Sequence, residues 1–442
     1  MTHYTFHEIL PGTQAHRFQH TEWTLSRDKR LRGTDRKMLL HNFRRLWAVA
    51  KRDGIGVATR KALTRAVKGF PTALQGKIDV FRHYETLLGE EQGHGIKISA
   101  ENVPAGSMTW LVPDFSASSG GHINILRFMA LLKGLGFPEQ RLVVAEPHRW
   151  RSAAEAQAAL NASFGDQGIT VSLGARSIEP SQYLVATGWQ TAYWVSKYRD
   201  AGCRLYFVQD FEPAFYAHGT EYALAENTYK LGLTGITAGS WLADKLRIDY
   251  GMRAIDFSFA CDLDLYRPYG RRPNKTRHIF FYARPVTPRR CFEMGLLALK
   301  RVCDQMPDTA VIFAGWDVSG YQIPFHHLNA GTLAVSSLPE LYSQCDVGLI
   351  LSSTNLSLLP LEMAACGCPL VINRGPNASW LMSEEEVYYC DLEVDSIAET
   401  IMEALRNSEE TAKRAALALR RAKRVSWKAE AEKISTFLRE IG

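Results

Sequence analysis

The sequence predicts an α/β protein of two doubly wound, mostly parallel sheets in tandem, preceded by a basic helical extension. Three observations carry that expectation. From residue 108 onward, short apolar runs alternate with amphipathic stretches, the rhythm of βαβ units. That rhythm stops at a polar, proline-bearing stretch, Cys261 to Asn274, and then begins again. The chain is 442 residues long, 46% hydrophobic and 22% charged, which is apolar material for two full-sized cores.

In order, the first series predicts strands over 108–113, 141–145, 181–187, 204–209, 235–238 and 255–260. An amphipathic helix over 123–135 follows a Ser/Gly loop at 116–122. The second series predicts strands over 278–283, 310–315, 332–335, 347–351 and 369–372. Helices are expected over 291–305, 338–344 and 358–366, then over 395–423 and 427–442. The domain limits are 1–100 for the extension, 101–262 and 263–426 for the two sheets, and 427–442 for a last helix packing back on the first sheet. Open parallel sheets bind ligands beyond the carboxyl ends of their strands, so a cleft between two facing sheets is the expected site.

The charge is uneven. Residues 27–77 hold fifteen Lys and Arg against three Asp, a net +12 in a chain whose total is +6. Leu39, Phe43, Leu46, Trp47 and Ala50 keep helical spacing, as do Leu63 and Val67. Such basic amphipathic helices suit an anionic membrane surface, where each Lys or Arg gains about 1 kcal/mol. Packing of the same stripe on the protein's own body is the alternative. No helix-turn-helix, zinc or RNA-binding pattern accompanies the charge, so nucleic acid is not an expected partner. No stretch nears the roughly 18 uncharged apolar residues of a membrane span, and the first residues lack a secretory pattern. The eight cysteines form no CxxC pair and read as reduced thiols. The expected location is cytoplasmic, peripheral on the inner face of the cell membrane.

A dinucleotide fingerprint is missing, because the first strand–helix turn offers Gly120-Gly121 and not GxGxxG. Those glycines let a ligand approach the backbone and the helix amides, or simply make a turn. After the strand at 278–283 comes Arg284-Pro-Val-Thr-Pro-Arg289-Arg290, guanidiniums on a proline-stiffened loop that suit a diphosphate. After the strand at 347–351, the loop with Ser353 and Thr354 leads to a helix starting near Leu358. Its first-turn amides, at Leu358 and Leu359, are candidates to hold phosphates. Glu362, one turn in, has the lone pairs for two sugar hydroxyls, or it answers the helix dipole. Asp210 and Glu212 follow a first-domain strand. Two residues apart on an extended chain, they point to one side, to grip hydroxyls or supply a base; local capping is the alternative. His122 is open between ligand contact and a structural histidine.

Together these motifs resemble the retaining GT-B glycosyltransferases of family 4, which carry two Rossmann-like domains. Ala283-Arg284 with Arg289 five residues on is similar to the family's Gly-Arg loop and its later Lys. Glu362-Met-Ala-Ala-Cys-Gly-Cys-Pro-Leu-Val matches the second half of its E-x7-E pattern; Thr354 stands where the first Glu would be, and Ser357 where the family's next Gly falls. Asp262 to Pro268 resembles the domain junction, and Val425-Ser426-Trp427 the C-terminal ending. The runs Tyr206 to Tyr216 and Glu221 to Tyr229 are most similar to bacterial rhamnosyltransferases of surface-glycan assembly.

The resemblance implies transfer of rhamnose, from dTDP-rhamnose, onto a growing surface polysaccharide or lipid-linked glycan, with retention of configuration and no metal or other cofactor. Asp210, Glu212 and Arg284 are then the catalytic candidates. Gly120, Gly121, Arg284, Arg289, Ser353, Thr354, Leu358, Leu359 and Glu362 bind the donor, and His122 and Tyr216 the acceptor. Closure is expected by hinge motion around 262–270. Two rivals share the two-domain plan: a nucleotide-sugar 2-epimerase, and a membrane-docked scaffold without activity.

Overall fold

The computed structural model describes residues 80–99, 101–116 and 120–442. The basic stretch at 27–77, and the membrane contact expected from it, lie outside the described residues. Among the described residues no helix is long and apolar enough to cross a membrane.

Two all-parallel sheets form the frame. The first holds β1 (Met108–Val112), β2 (Gln140–Val144), β3 (Ile169–Leu173), β4 (Ser181–Ala186), β5 (Ala201–Val208), β6 (Thr234–Ala238) and β7 (Ala254–Phe257). Their order is β3-β2-β1-β4-β5-β6-β7. The second holds β8 (Arg277–Tyr282), β9 (Thr309–Ala314), β10 (His327–Gly331), β11 (Val347–Ile350), β12 (Leu370–Asn373) and β13 (Tyr388–Cys390), in the order β10-β9-β8-β11-β12-β13. Central strands covered on both faces need apolar side chains throughout, and every residue of β1, β11 and β12 is buried. Each order reverses between its first and fourth strands. The loops after β8 and β11 therefore flank the point where an open sheet leaves a crevice.

The edge strands depart from expectation. The strand expected over 332–335 lies at His327–Gly331, and Val335–Ser337 is a short 3-10 turn with Val335 54% exposed. An edge strand bonds on one side only and tolerates polar letters, so the apolar Leu333 and Val335 misplace it. The same partial exposure hides β3. The helix expected over 395–423 is two, Val394–Arg406 and Ser408–Arg424, broken at Asn407.

The helix α1 (Gly120–Lys133) follows β1, and the last helix, Trp427–Ile441, returns to pack on α1 and β7. The Leu438 carbonyl accepts from Tyr183 Oη at 2.9 Å, and Glu430 accepts from the Ser258 amide at 2.8 Å. Residues 85–99 also belong with the first sheet, although a boundary at 100 was expected. Lys197 Nζ donates to the carbonyls of Thr86, Leu87 and Gly89, and Asp200 accepts from the amides of His94 and Ile96. Those contacts run through backbone atoms, which composition does not display.

Candidate functional site at the seam between the sheets

The carboxyl ends of β5 and β6 meet the loops after β8 and β11. Asp210, just past β5, sits at the centre of this seam and is 8% exposed. Its Oδ1 accepts from the Phe211 amide at 2.8 Å and from the Asn355 amide at 2.8 Å. Its Oδ2 accepts from Thr354 Oγ1 at 2.9 Å and lies 3.5 Å from Arg289 Nε. A carboxylate has about four lone-pair sites, of which three accept hydrogen bonds here. Asp210 is thus an interdomain tie here, and the one lone pair without a hydrogen bond faces the Arg289 guanidinium. Thr354 is buried with its hydroxyl turned to Asp210, so it presents no group to a sugar in this arrangement.

Glu212 does not share the seam with Asp210. The chain after β5 is not extended: Glu212 opens a 3-10 turn, Glu212–Phe215, and this rotates its side chain into the first domain. Oε1 accepts from Tyr206 Oη at 2.8 Å, and Oε2 caps the helix Trp189–Lys197 through the Trp189 amide at 2.7 Å. Burial pushes this carboxyl up to about 7, against the pull of Tyr206 and the Trp189 amide. The same turn carries Tyr216 away from the seam, where its hydroxyl accepts from Trp189 Nε1 at 2.8 Å. Phe215 reaches the arginine loop instead: its ring centroid lies 4.1 Å from Arg289 Cζ.

The three arginines divide the work. Arg284 leans on Tyr282 and donates to the Gly315 carbonyl at 3.4 Å. Arg289 is 24% exposed and faces Asp210 and Phe215. Arg290 donates to the Asn355 carbonyl at 3.2 Å. Burial above all pulls the Arg290 guanidinium down, and its neighbours Arg289 and Arg284 add repulsion against the attraction of Asp210. Three guanidiniums and one carboxylate leave a surplus of positive charge at the crevice, which favours an anion there.

Asn355 went unremarked in the sequence and is the most connected side chain of the seam. Its Nδ2 donates to the carbonyls of Gln209 and Ala238, both at 2.9 Å. Its Oδ1 accepts from Trp241 Nε1 at 3.3 Å and Trp380 Nε1 at 3.2 Å. Trp380 in turn packs on Gly239, where a Cβ would meet the indole at 2.6 Å. An Asn after a Ser-Ser-Thr run reads as turn chemistry, so nothing in the letters marks it as a bridge.

The remaining candidates are spread along the cleft. The short helix Leu359–Ala365 has no free first-turn amide row: Pro360 lacks an N–H, the Leu359 amide faces Ser357 Oγ at 3.4 Å, and the Glu362 amide bonds the Leu358 carbonyl. Leu358 is half-buried and Ser353 is exposed, its amide donating to the Arg289 carbonyl. Glu362 faces Tyr266 of the linker and Arg127 of α1, and burial pushes its carboxyl up to about 7 against both. Gly120 and Gly121 begin α1; no described atom lies within 4 Å of a Cβ on Gly120, whereas one on Gly121 would meet Gln209 at 3.3 Å. His122 Nδ1 accepts from the Ser116 amide at 3.1 Å, and burial pulls its pKa down. The expected hinge is partly pinned, since the Tyr269 and Arg272 amides donate to Ser343 and Gln344 of the second domain.

Two parallel Rossmann-like sheets, facing carboxyl ends and a last helix that recrosses to the first domain define the GT-B glycosyltransferase fold. Sucrose-phosphate synthase from Thermosynechococcus elongatus superposes with a TM-score of 0.57 at 11% identity, over 76% of this chain and 98% of that one. Anabaena Alr3699/HepE, solved with UDP-glucose, gives 0.57 at 14% identity over 76% and 99%. WaaG, a glycosyltransferase of lipopolysaccharide biosynthesis, gives 0.52 at 12% identity over 75% and 99%.

The sequence adds closer kin. Residues 172–238 match the family described as WsaF, N-terminal domain, and residues 277–402 the family described as WsaF, C-terminal domain. The O-antigen biosynthesis protein RfbC of Myxococcus xanthus is 33% identical over 345 residues, which are 76% of this chain and 27% of that protein. The chain therefore spans about a quarter of the length of that relative.

Proposed function

We propose that this chain is a glycosyltransferase that moves a sugar from a nucleoside diphosphate onto a growing bacterial surface glycan or lipid-linked glycan. The observation that carries this is the arginine loop, with Arg289 brought to the interdomain seam beside Asp210 and Phe215. Charge develops on the diphosphate as the glycosidic bond breaks, and fixed guanidiniums in a half-buried crevice stabilise it without a metal. Arg284 and Arg289 are the groups for that role. Glu362, beside Tyr266 and Arg127, would accept from ribose or sugar hydroxyls. The Leu359 amide, turned to Ser357, drops out of the phosphate role, and Glu212, buried in the first domain, drops out as a base. The family resemblance implies retention of configuration, with the leaving phosphate taking the acceptor's proton.

The finer assignment is rhamnose from dTDP-rhamnose, supported by the run from Tyr206 to Tyr216 and by similarity to a protein named for O-antigen biosynthesis. Residues 27–77 would hold the enzyme against an anionic cytoplasmic membrane face, near a lipid-linked acceptor. The test is incubation with dTDP-rhamnose, with and without a lipid-linked glycan acceptor. Release of dTDP only with acceptor, and a product of retained configuration, is the expected result. Conversion of the donor without acceptor would mark an epimerase, and no turnover of any nucleotide sugar would mark a scaffold.

A further inference from the structure

Arg289 belongs to the second domain, yet the groups that seat its guanidinium come from the first. Nε lies 3.5 Å from Asp210 Oδ2 and is buried without a hydrogen bond of its own. The guanidinium carbon lies 4.1 Å from the Phe215 ring centroid, a cation–π distance. Both partners are themselves fixed. Three other donors hold Asp210, at Phe211, Thr354 and Asn355. Phe215 ends the 3-10 turn whose first residue is anchored by Tyr206, the Trp189 amide and Tyr229. Phe215 is 39% exposed, so one side of its ring faces solvent while the other meets the guanidinium. A guanidinium is a planar fork of five N–H groups, so an anion on the Nε side leaves the Nη ends for a second, bidentate anion.

We propose that Asp210 and Phe215 form a first-domain socket that orients Arg289 to receive the donor diphosphate, which makes them positioning residues of the transfer reaction. This rests on the arginine loop being the diphosphate site. One consequence is that donor affinity depends on the two domains being together. Opening the seam strips Arg289 of both partners, and a bound diphosphate holds the seam closed by the same amount.

A double-mutant cycle on dTDP binding, followed by titration calorimetry on the full chain, tests the socket. Phe215→Leu is expected to weaken dTDP binding about fivefold in the wild-type background and to have no effect in the Arg289→Ala background. Phe215 is partly exposed, so this variant should keep its fold; Asp210→Asn, verified by its melting curve, should weaken binding at least as much. Equal weakening by Phe215→Leu in both backgrounds, or unchanged binding in both single variants, overturns the socket while leaving the arginine loop as the diphosphate site. A wild-type chain that binds neither dTDP nor UDP overturns the socket and the proposed function together.

Discussion

At the seam, the hydrogen bonds of Asn355 show what a single side chain contributes. Asn355 has both amide hydrogens and both lone pairs occupied across the two domains. Asn355→Ala would leave two buried carbonyls and an indole N–H unpaired, at about 1–3 kcal/mol for each unmet group. A loss of roughly 3 kcal/mol is therefore expected in urea unfolding. Glu212 yields a pH prediction. Its native pKa stands near 7, above the ordinary 4.5, because burial favours the neutral acid. A raised pKa means the native chain holds the proton more tightly. This contribution is full below the unfolded value and fades as pH rises through about 7. Glu212→Gln keeps the neutral form at every pH. Relative to wild type, its melting temperature should improve steadily between pH 5 and pH 8; a difference independent of pH would contradict the assignment.

At the scale of single elements, local geometry decides which predicted residues meet. The pairing of Asp210 with Glu212 assumed an extended chain, but Pro213 at the second position of a 3-10 turn sends the two acids to opposite sides. The helix after Ser357 was legible from its apolar letters. That Pro360 removes one amide was legible too; that Ser357 turns back on the Leu359 amide was not. Central strands announced themselves through unbroken apolar runs, whereas the half-exposed His327–Gly331 did not. Gly239 links element to interface. Its φ of +98° and the indole of Trp380 leave no room for a methyl group. Gly239→Ala should therefore cost about 1–3 kcal/mol in chemical denaturation, and unchanged stability would mean that the two domains do not meet at this contact.

At the scale of the whole molecule, the tandem sheets were legible because each βαβ series needs its own core and the linker between them is polar. The arginine loop was legible as a cluster of charge after a buried strand. What the letters did not contain was the partner of that cluster. Asp210 and Arg289 are separated by most of a domain in sequence, and only the packing of one sheet against the other brings them to 3.5 Å. The central claim concerns that seam, and a structure of the chain with dTDP bound tests it most directly. The account predicts the diphosphate in the interdomain crevice, its oxygens about 2.7–3.2 Å from the guanidinium nitrogens of Arg284 and Arg289. A nucleotide bound elsewhere, or one whose phosphates touch neither arginine, would contradict it.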